Sequence, residues 1–156
     1  MAKAPKSKTE YRFKVALKDD KGIWRTIALR GDQSLDHLHA AIFAAFDRFE
    51  EHLYSFYFPK APRGRPGFEP IREYTSSFML EDPGPFETGP RFDASRTRLD
   101  DLELAVGERF EYLFDFGDCW MHELRVERIQ PVSPDKRYPH VVSRKGGSPP
   151  QYPDPE

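Results

Sequence analysis

From Tyr11 onward the chain alternates: Tyr11, Phe13, Val15 and Leu17 are apolar, separated by Arg12, Lys14 and Ala16. A period of two puts the large side chains on one face of an extended segment, which predicts a half-buried strand. The run Lys18-Asp19-Asp20-Lys21-Gly22 is a turn, and Ile23 to Leu29 reads as the return strand of a hairpin. Ile23, Ile27 and Leu29 share one face of it, and Trp24 points the other way. The period then changes. Ser34 is placed as a helix N-cap, with His37 rather than Glu at the third helical position and hence no full capping box. Leu35, Leu38, Ile42, Ala45, Phe46 and Phe49 form one stripe at helical spacing, supported by Ala40, Ala41 and Ala44. This is the one long helix predicted.

His52 to Phe58 is aromatic and alternating, which predicts a third strand ended by Pro59. Residues 59–96 then hold seven Pro and four Gly with no sustained period, the pattern of a long loop insertion that is functional or mobile. Tyr74 to Leu80 can hold one short strand within it. Thr97 to Leu102 reads as a short helical turn capped by Thr97. Arg109–Phe116 and Trp120–Ile129 follow as two strands around Gly117-Asp118. A three-residue loop (Gly117, Asp118, Cys119) opposes Phe116 to Trp120, Phe114 to His122, Tyr112 to Leu124 and Phe110 to Val126. The other face then pairs Glu111 with Arg125 and Arg109 with Glu127. One apolar and one charge-paired face is what a half-buried hairpin requires.

The order predicts an α+β fold: a mixed sheet of about five strands with one main helix packed across it, a β-grasp-like roll. Residues 1–9 are expected to be a disordered basic tail and 10–129 a single domain. Residues 130–156 are expected to be a Pro-rich extension that wraps the surface or hangs free.

Composition narrows the function classes. The chain has 156 residues, 38% hydrophobic and 14% aromatic, too rich in rings for a disordered protein. Cys119 is the single cysteine, which excludes an internal disulfide and fits a reducing, cytoplasmic compartment. No apolar run approaches a membrane span, and the first residues lack the apolar core of a signal peptide. Net charge is −2, unevenly spread: residues 1–30 hold nine Lys/Arg against three acids, and residues 97–128 hold four against nine. A dedicated nucleic-acid binder shows a broad basic excess, whereas here part of it lies in a tail with Lys3, Lys6 and Lys8.

Histidine supplies the sharpest chemical candidates. His39 on the helix stripe, His52 at the start of the third strand, His122 on the inner face of the last hairpin and Asp118 near its tip are of the types that bind catalytic zinc or iron. Their spacing matches no compact two-His motif. The alternative is a set of half-buried imidazoles tying helix to sheet, or general acid–base groups without metal. Asp115-Phe116-Gly117 reads as a tight turn, with Gly117 at a permissive backbone angle and Asp118 bonding its own turn. Arg25 pairs with a buried carboxylate such as Asp115 or reaches solvent at a sheet edge. Trp24, Trp120, Tyr54, Phe56 and Phe58 are core rings or a stacking platform for single-stranded nucleic acid.

Several short motifs together resemble a known family. They are Ile23-Trp24-Arg25, Leu38-His39, His52-Leu53, Asp115-Phe116-Gly117-Asp118-x-Trp120-x-His122, Tyr138-Pro139 and Gly147-x-Pro149-Pro150. In that order and spacing they resemble the plasmid pRiA ORF-three-like family, whose members are often labelled transposon-passenger or TnpR-like proteins. The resemblance spans roughly residues 10–150 and implies an α+β fold and linkage to mobile elements, with no established activity. The family commonly carries cysteines and acidic residues around its final Pro-Pro. Here that stretch reads Gly146-Gly147-Ser148-Pro149-Pro150-Gln151-Tyr152, so a metal or redox role of the tail does not carry over.

Three functional readings stand at this point. The first is a noncatalytic protein-interaction module without a cofactor, using the 59–96 loop and an exposed sheet edge to bind an unknown protein partner. The second is a metal-dependent enzyme, with zinc or iron held by His39, His52, His122 and Asp118. The third is nucleic-acid contact through the basic N-terminal region, Lys3 to Lys21. None places the protein at a membrane.

Overall fold

The computed structural model describes residues 7–58, 72–76, 91–149 and 151. Among them, eight strands make one sheet: β1 (Thr9–Leu17), β2 (Trp24–Arg30), β3 (Tyr54–Phe58), β4 (Arg72–Thr75), β5 (Arg91–Asp93), β6 (Arg109–Phe114), β7 (Trp120–Pro131) and β8 (His140–Lys145). Their order across the sheet is β5-β4-β3-β6-β7-β1-β2-β8. β4 and β5 run parallel and every other neighbouring pair is antiparallel. A single α-helix, α1 (Leu35–Ala45), lies among the described residues, with short 3-10 turns at Ala94–Arg96 and Leu99–Leu102.

This corrects the expected five-stranded α+β, β-grasp-like roll. The described chain is mostly strand, and its helix has only 11 residues. β4 overlaps the short strand expected within Tyr74–Leu80, of which residues 77–80 lie outside the described residues, while the bounds of β4 and the existence of β5 and β8 escaped notice for physical reasons. β4 and β5 have four and three residues, too few to show a period, and flank the Pro/Gly-rich region. β8 is exposed along nearly its whole length, so it shows no alternation of buried and open positions. The segment from Gln130, expected to wrap the surface or hang free, thus adds a strand beside β2.

β1 lies between β2 and β7, and its strict alternation is what the core reads. Phe13 and Val15 are fully buried, with Ile27 and Leu29 of β2, Leu124 and Val126 of β7, and Leu35, Leu38 and Ile42 of α1. Aromatic rings fill the β3–β6 half. Phe58 stacks on Phe110 at 4.4 Å, and Phe13 meets Phe110 edge-on at 5.8 Å. Such offset and edge-on contacts suit the ring quadrupoles.

Ser34 caps α1 as expected, its Oγ accepting from the His37 amide at 3.2 Å. The capping box is complete, contrary to the reading of His37, because His37 Nδ1 accepts from the Ser34 amide at 2.9 Å. An imidazole nitrogen serves here as the carboxylate of Glu does elsewhere. The helix stops at Ala45 and Asp47 takes φ 55°, so Phe49 leaves the stripe and is 72% exposed. His52 and Leu53 likewise precede β3 rather than open it.

The last hairpin has a register two residues away from the expected one. Phe114 opposes Trp120, Tyr112 opposes His122 and Phe110 opposes Leu124, leaving Asp115 to Cys119 as the loop. A two-residue slip keeps every side chain on its predicted face, so hydrophobic patterning does not distinguish the registers. Loop geometry does. Asp115 and Cys119 take φ 63° and 55°, and Asp115 Oδ1 accepts from the amides of Gly117 (3.0 Å) and Asp118 (3.3 Å). The permissive angle therefore falls on Asp115 and Cys119 rather than Gly117, and the turn is tied by Asp115 rather than Asp118. Glu111 now faces Glu123, and Arg109 faces Arg125. Lys18 lies 2.6 Å from Glu111, and Lys21 3.2 Å from Glu123, relieving the like-charge contact between the acids.

Candidate functional site

The inner faces of β3, β6 and β7 bring two of the predicted histidines to either side of one residue, Tyr112. His39, projecting from α1, stacks on Tyr54 at 3.8 Å and is buried. Its Nε2 lies 2.5 Å from Glu51 Oε1 and its Nδ1 2.6 Å from the Tyr112 hydroxyl. With Nε2–H donating to the carboxylate, Nδ1 is left to accept from the phenol, so both ring nitrogens are satisfied. Burial holds the His39 imidazole below its ordinary pKa, partly offset by the Glu51 charge. Tyr112 itself is pushed well above the usual phenol range by burial.

His122 is completely buried on β7. Its Nδ1 lies 3.2 Å from the Tyr112 carbonyl and its Nε2 2.7 Å from Nη2 of Arg48. The carbonyl only accepts and the guanidinium only donates, which assigns the neutral tautomer with the proton on Nδ1. Burial and the Arg48 charge depress its pKa to about 3.

Of the remaining predicted ligands, His52 lines the same concavity as His39 but makes different contacts, and Asp118 lies apart. His52 lies 3.5 Å from Asp115 Oδ2 and meets the Phe114 ring edge-on at 5.8 Å. Asp118 is exposed at the hairpin tip. Among the described residues, no group of three His, Cys, Asp or Glu side chains is placed to hold a metal ion. The expected His39, His52, His122 and Asp118 set is therefore not assembled as one zinc or iron site. Cys119 is exposed, its Sγ 3.2 Å from the Phe116 carbonyl.

Two buried cations are the feature that sequence reasoning misplaced or missed. Arg25 is 1% exposed, which overturns both the solvent-edge and the Asp115-pair expectations. It donates to the carbonyls of Ala45 (2.9 Å), Trp24 (2.8 Å) and Lys145 (3.0 Å), and to Ser148 Oγ (2.8 Å). Burial and the nearby Arg144 charge lower its pKa. Arg48 is 8% exposed, and nothing in the sequence pattern singles it out, because it falls between Phe46 and Phe49 on the polar side of the expected stripe. The tail serves as a strap over this region. Gln151 accepts from the Phe49 and Glu50 amides and donates to the Glu50 carbonyl.

The aromatic residues divide. Tyr54, Phe56 and Phe58 are buried core rings. Trp24 is half-buried with Lys14 Nζ 4.8 Å from its ring centroid, and Trp120 packs against the core. Lys3, Lys6 and residues 59–71 and 77–90 of the proposed binding loop lie outside the described residues.

Two concavities flank α1. One, of about 620 Å³, is lined by Asp36, His39, Glu51, His52 and Ser76. The other, of about 360 Å³, runs between α1 and β8: Ala40, Ala41 and Ala44 form one wall, and Pro139, Val141 and Arg144 the other. β8 is the last strand of the sheet on that side. It is anchored at its root by Tyr138, whose hydroxyl donates to Glu10 (2.5 Å) and whose carbonyl accepts from Gln33 (2.9 Å).

No described helix is long and apolar enough to cross a membrane. The uncharacterized protein y4hQ of Sinorhizobium fredii is 30% identical over 118 residues, covering 75% of this chain and 52% of that protein. The chain thus spans about half the length of that curated relative. The crystal structure of the protein of unknown function MM3350 from Methanosarcina mazei Go1 superposes with a TM-score of 0.75. At 24% identity it covers 93% of this chain and 74% of its own, and shares the fold. The family model described as plasmid pRiA4b ORF-3-like protein matches residues 9–152, and the chain belongs to that family.

Proposed function

We propose that this protein is a noncatalytic interaction module that takes an extended, acidic segment of a partner protein as a further strand beside β8. The observation that carries this reading is the terminal place of β8 in the sheet, next to an alanine-lined groove. A terminal strand presents a row of backbone donors and acceptors to a partner strand. Val141 and Val142 are each 38% exposed, giving that edge apolar contact surface. The groove walls of Ala40, Ala41 and Ala44 are small enough to admit alternate side chains of an added strand.

Charge selects the partner. Residues 136–145 contain Lys136, Arg137, Arg144 and Lys145 and no acid, so these cations outnumber the one carboxylate that lines the groove, Asp47. Two copies of such an edge repel one another, whereas an acidic segment is attracted. The imidazoles of His39 and His122 support a noncatalytic reading, since their nitrogens are engaged inside the protein.

The test is fluorescence anisotropy with a labelled peptide of alternating Glu and Val. Saturable binding is expected, weakening about fivefold or more from low to high salt. Ala44→Glu, at an exposed helix position, and Arg144→Glu are each expected to weaken it about tenfold. Absence of binding at low salt, or binding indifferent to both substitutions, overturns the proposal.

A further inference from the structure

The face of the sheet turned away from α1 carries a strip of opposed cations. Phe13, Val15, Ile27, Leu124 and Val126 are buried in the core shared with α1, so the residues alternating with them turn to the opposite face. There Arg109 of β6 stands directly opposite Arg125 of β7, and Arg125 directly opposite Lys14 of β1. Lys14 Nζ lies 4.8 Å from the ring centroid of Trp24 on β2, and Trp24 in turn opposes Lys145 of β8. Arg109, Arg125, Lys14, Trp24 and Lys145 thus form a strip with one residue from each of five consecutive strands. A second like-charged pair, Arg12 and Arg128, lies beside it. Neighbouring strands are only about 4.8 Å apart, and like charges directly opposite one another are destabilising. The acids on this face are engaged: Glu111 with Lys18, Glu123 with Lys21 and Arg109, and Glu10 with Arg12, while Glu127 accepts from Thr26. Among the described residues, no carboxylate lies within ion-pair distance of Lys14, Arg125, Arg128 or Lys145. Arg109, Arg125, Arg128 and Lys145 are exposed, and Lys14 and Trp24 are half-buried.

We propose that this strip is a binding surface for single-stranded nucleic acid. Phosphates laid along Arg109, Arg125 and Lys14 turn a repulsive row into an attractive one and release their own counterions. Trp24 supplies the π-face on which a base stacks. Lys14 has a flexible chain, so it exchanges its contact with the indole for a phosphate as the base arrives. A duplex fits less well, because its bases are already stacked on one another. The strip also lies within the sheet surface rather than on an element that projects from it to enter a groove. An acidic polypeptide has the charge but no base for the indole. The chain as a whole has a net charge of −2, yet at physiological salt fields fade within about 8 Å, so the local strip governs what docks on it. This face is opposite the groove between α1 and β8, and the proposal does not depend on the β8 edge being a docking surface.

The probe is a fluorescein-labelled oligothymidylate of about 15 nucleotides, titrated with the full chain and read by anisotropy between about 50 and 200 mM salt. Saturable binding that weakens steeply with salt is expected. Arg125→Gln is expected to lower the slope of log Kd against log salt by about 0.7, the value of one phosphate contact on a single strand. Trp24→Leu keeps an apolar side chain and removes the ring, and is expected to weaken binding about tenfold with the slope unchanged. Arg96→Gln makes the same charge change as Arg125→Gln, but in the exposed turn that packs on α1, and is expected to leave both affinity and slope as they are. Should Trp24→Leu fail to fold, the contrast between Arg125→Gln and Arg96→Gln decides. No binding at low salt, equal losses in those two variants, binding of a duplex of the same length as tight as that of the single strand, or displacement of the oligonucleotide by polyglutamate at equal charge concentration overturns the proposal.

Discussion

Nη2 of Arg48 lies 2.7 Å from Nε2 of His122, so a buried cation leans on a buried imidazole with no carboxylate in the pair. The contact is favourable only while His122 is neutral, because a protonated ring would lose its acceptor and face a like charge. Arg48 thereby fixes the tautomer of His122, and His122 gives Arg48 its one hydrogen-bonded acceptor. Removing the imidazole in His122→Ala leaves the guanidinium unpaired beside a cavity. A loss of about 3 kcal/mol in urea unfolding is expected, the range for an orphaned buried donor combined with a packing defect.

The pH dependence has a definite sign. His122 titrates near pH 3 in the folded state and near 6.5 when unfolded, and His39 is also depressed by burial. Below about pH 6.5 the unfolded chain binds more protons, so stability is full above that value and falls as pH drops toward 3. Each such histidine contributes a slope of up to about 1.4 kcal/mol per pH unit in that window. Urea midpoints measured from pH 7 to 4 are expected to fall steadily. The His122 ring resonance is expected to remain that of neutral imidazole to pH 4, and a titration midpoint near 6.5 would refute the assignment.

Tyr112→Phe isolates the other half of the histidine arrangement. It preserves the ring contacts and removes the hydroxyl 2.6 Å from His39 Nδ1. One buried acceptor is left unpaired, for an expected loss of about 1–2 kcal/mol. The accompanying signature is a change in the His39 Nδ1 chemical shift with little change at Nε2, which still donates to Glu51.

Gln151→Ala tests the strap. The side chain makes three hydrogen bonds to the backbone of Phe49 and Glu50, and the residue is buried. The expected loss is about 1–3 kcal/mol, with faster amide exchange at Phe49 and Glu50 than in the parent protein. Unchanged exchange at both amides would show that the strap does not protect this segment.

Gly31→Ala addresses a close approach. A Cβ at Gly31 would lie 2.1 Å from Asp100 Oδ1, the oxygen that accepts from the Tyr11 hydroxyl at 2.8 Å. Asp100 must move, and Tyr11, itself buried, loses its partner. A destabilisation of about 1–3 kcal/mol is expected in urea unfolding. Adding Tyr11→Phe in the Gly31→Ala background should then cost less than it does in the parent chain.

Which parts of this molecule were legible beforehand follows from the range of the forces involved. The strict alternation of Tyr11, Phe13, Val15 and Leu17 located β1 and its buried face, because a strand's side-chain period is a local property. Ser34 marked the helix start for the same reason, through a bond between residues three apart. The last hairpin showed both strands and both faces but hid its register, since a slip of two residues preserves every face. His39 and His122 were recognised as inward-facing, yet a common partner in Tyr112 was not readable from their spacing.

By itself, then, the sequence determined the local pattern of β1, β2, α1 and the β6–β7 hairpin: where they lie within a few residues, and which of their side chains turn inward. Tertiary structure alone decided that the eight described strands join one sheet, that β8 forms one end of it, and that Arg25 and Arg48 lie buried around Phe46. A cation's burial depends on carbonyls, rings and imidazoles supplied by segments far along the chain. Trp24, Ala45, Lys145 and Ser148 meet at Arg25 only because the strap and sheet converge there. No local period encodes that convergence, because its energy exists only when all the partners are in place.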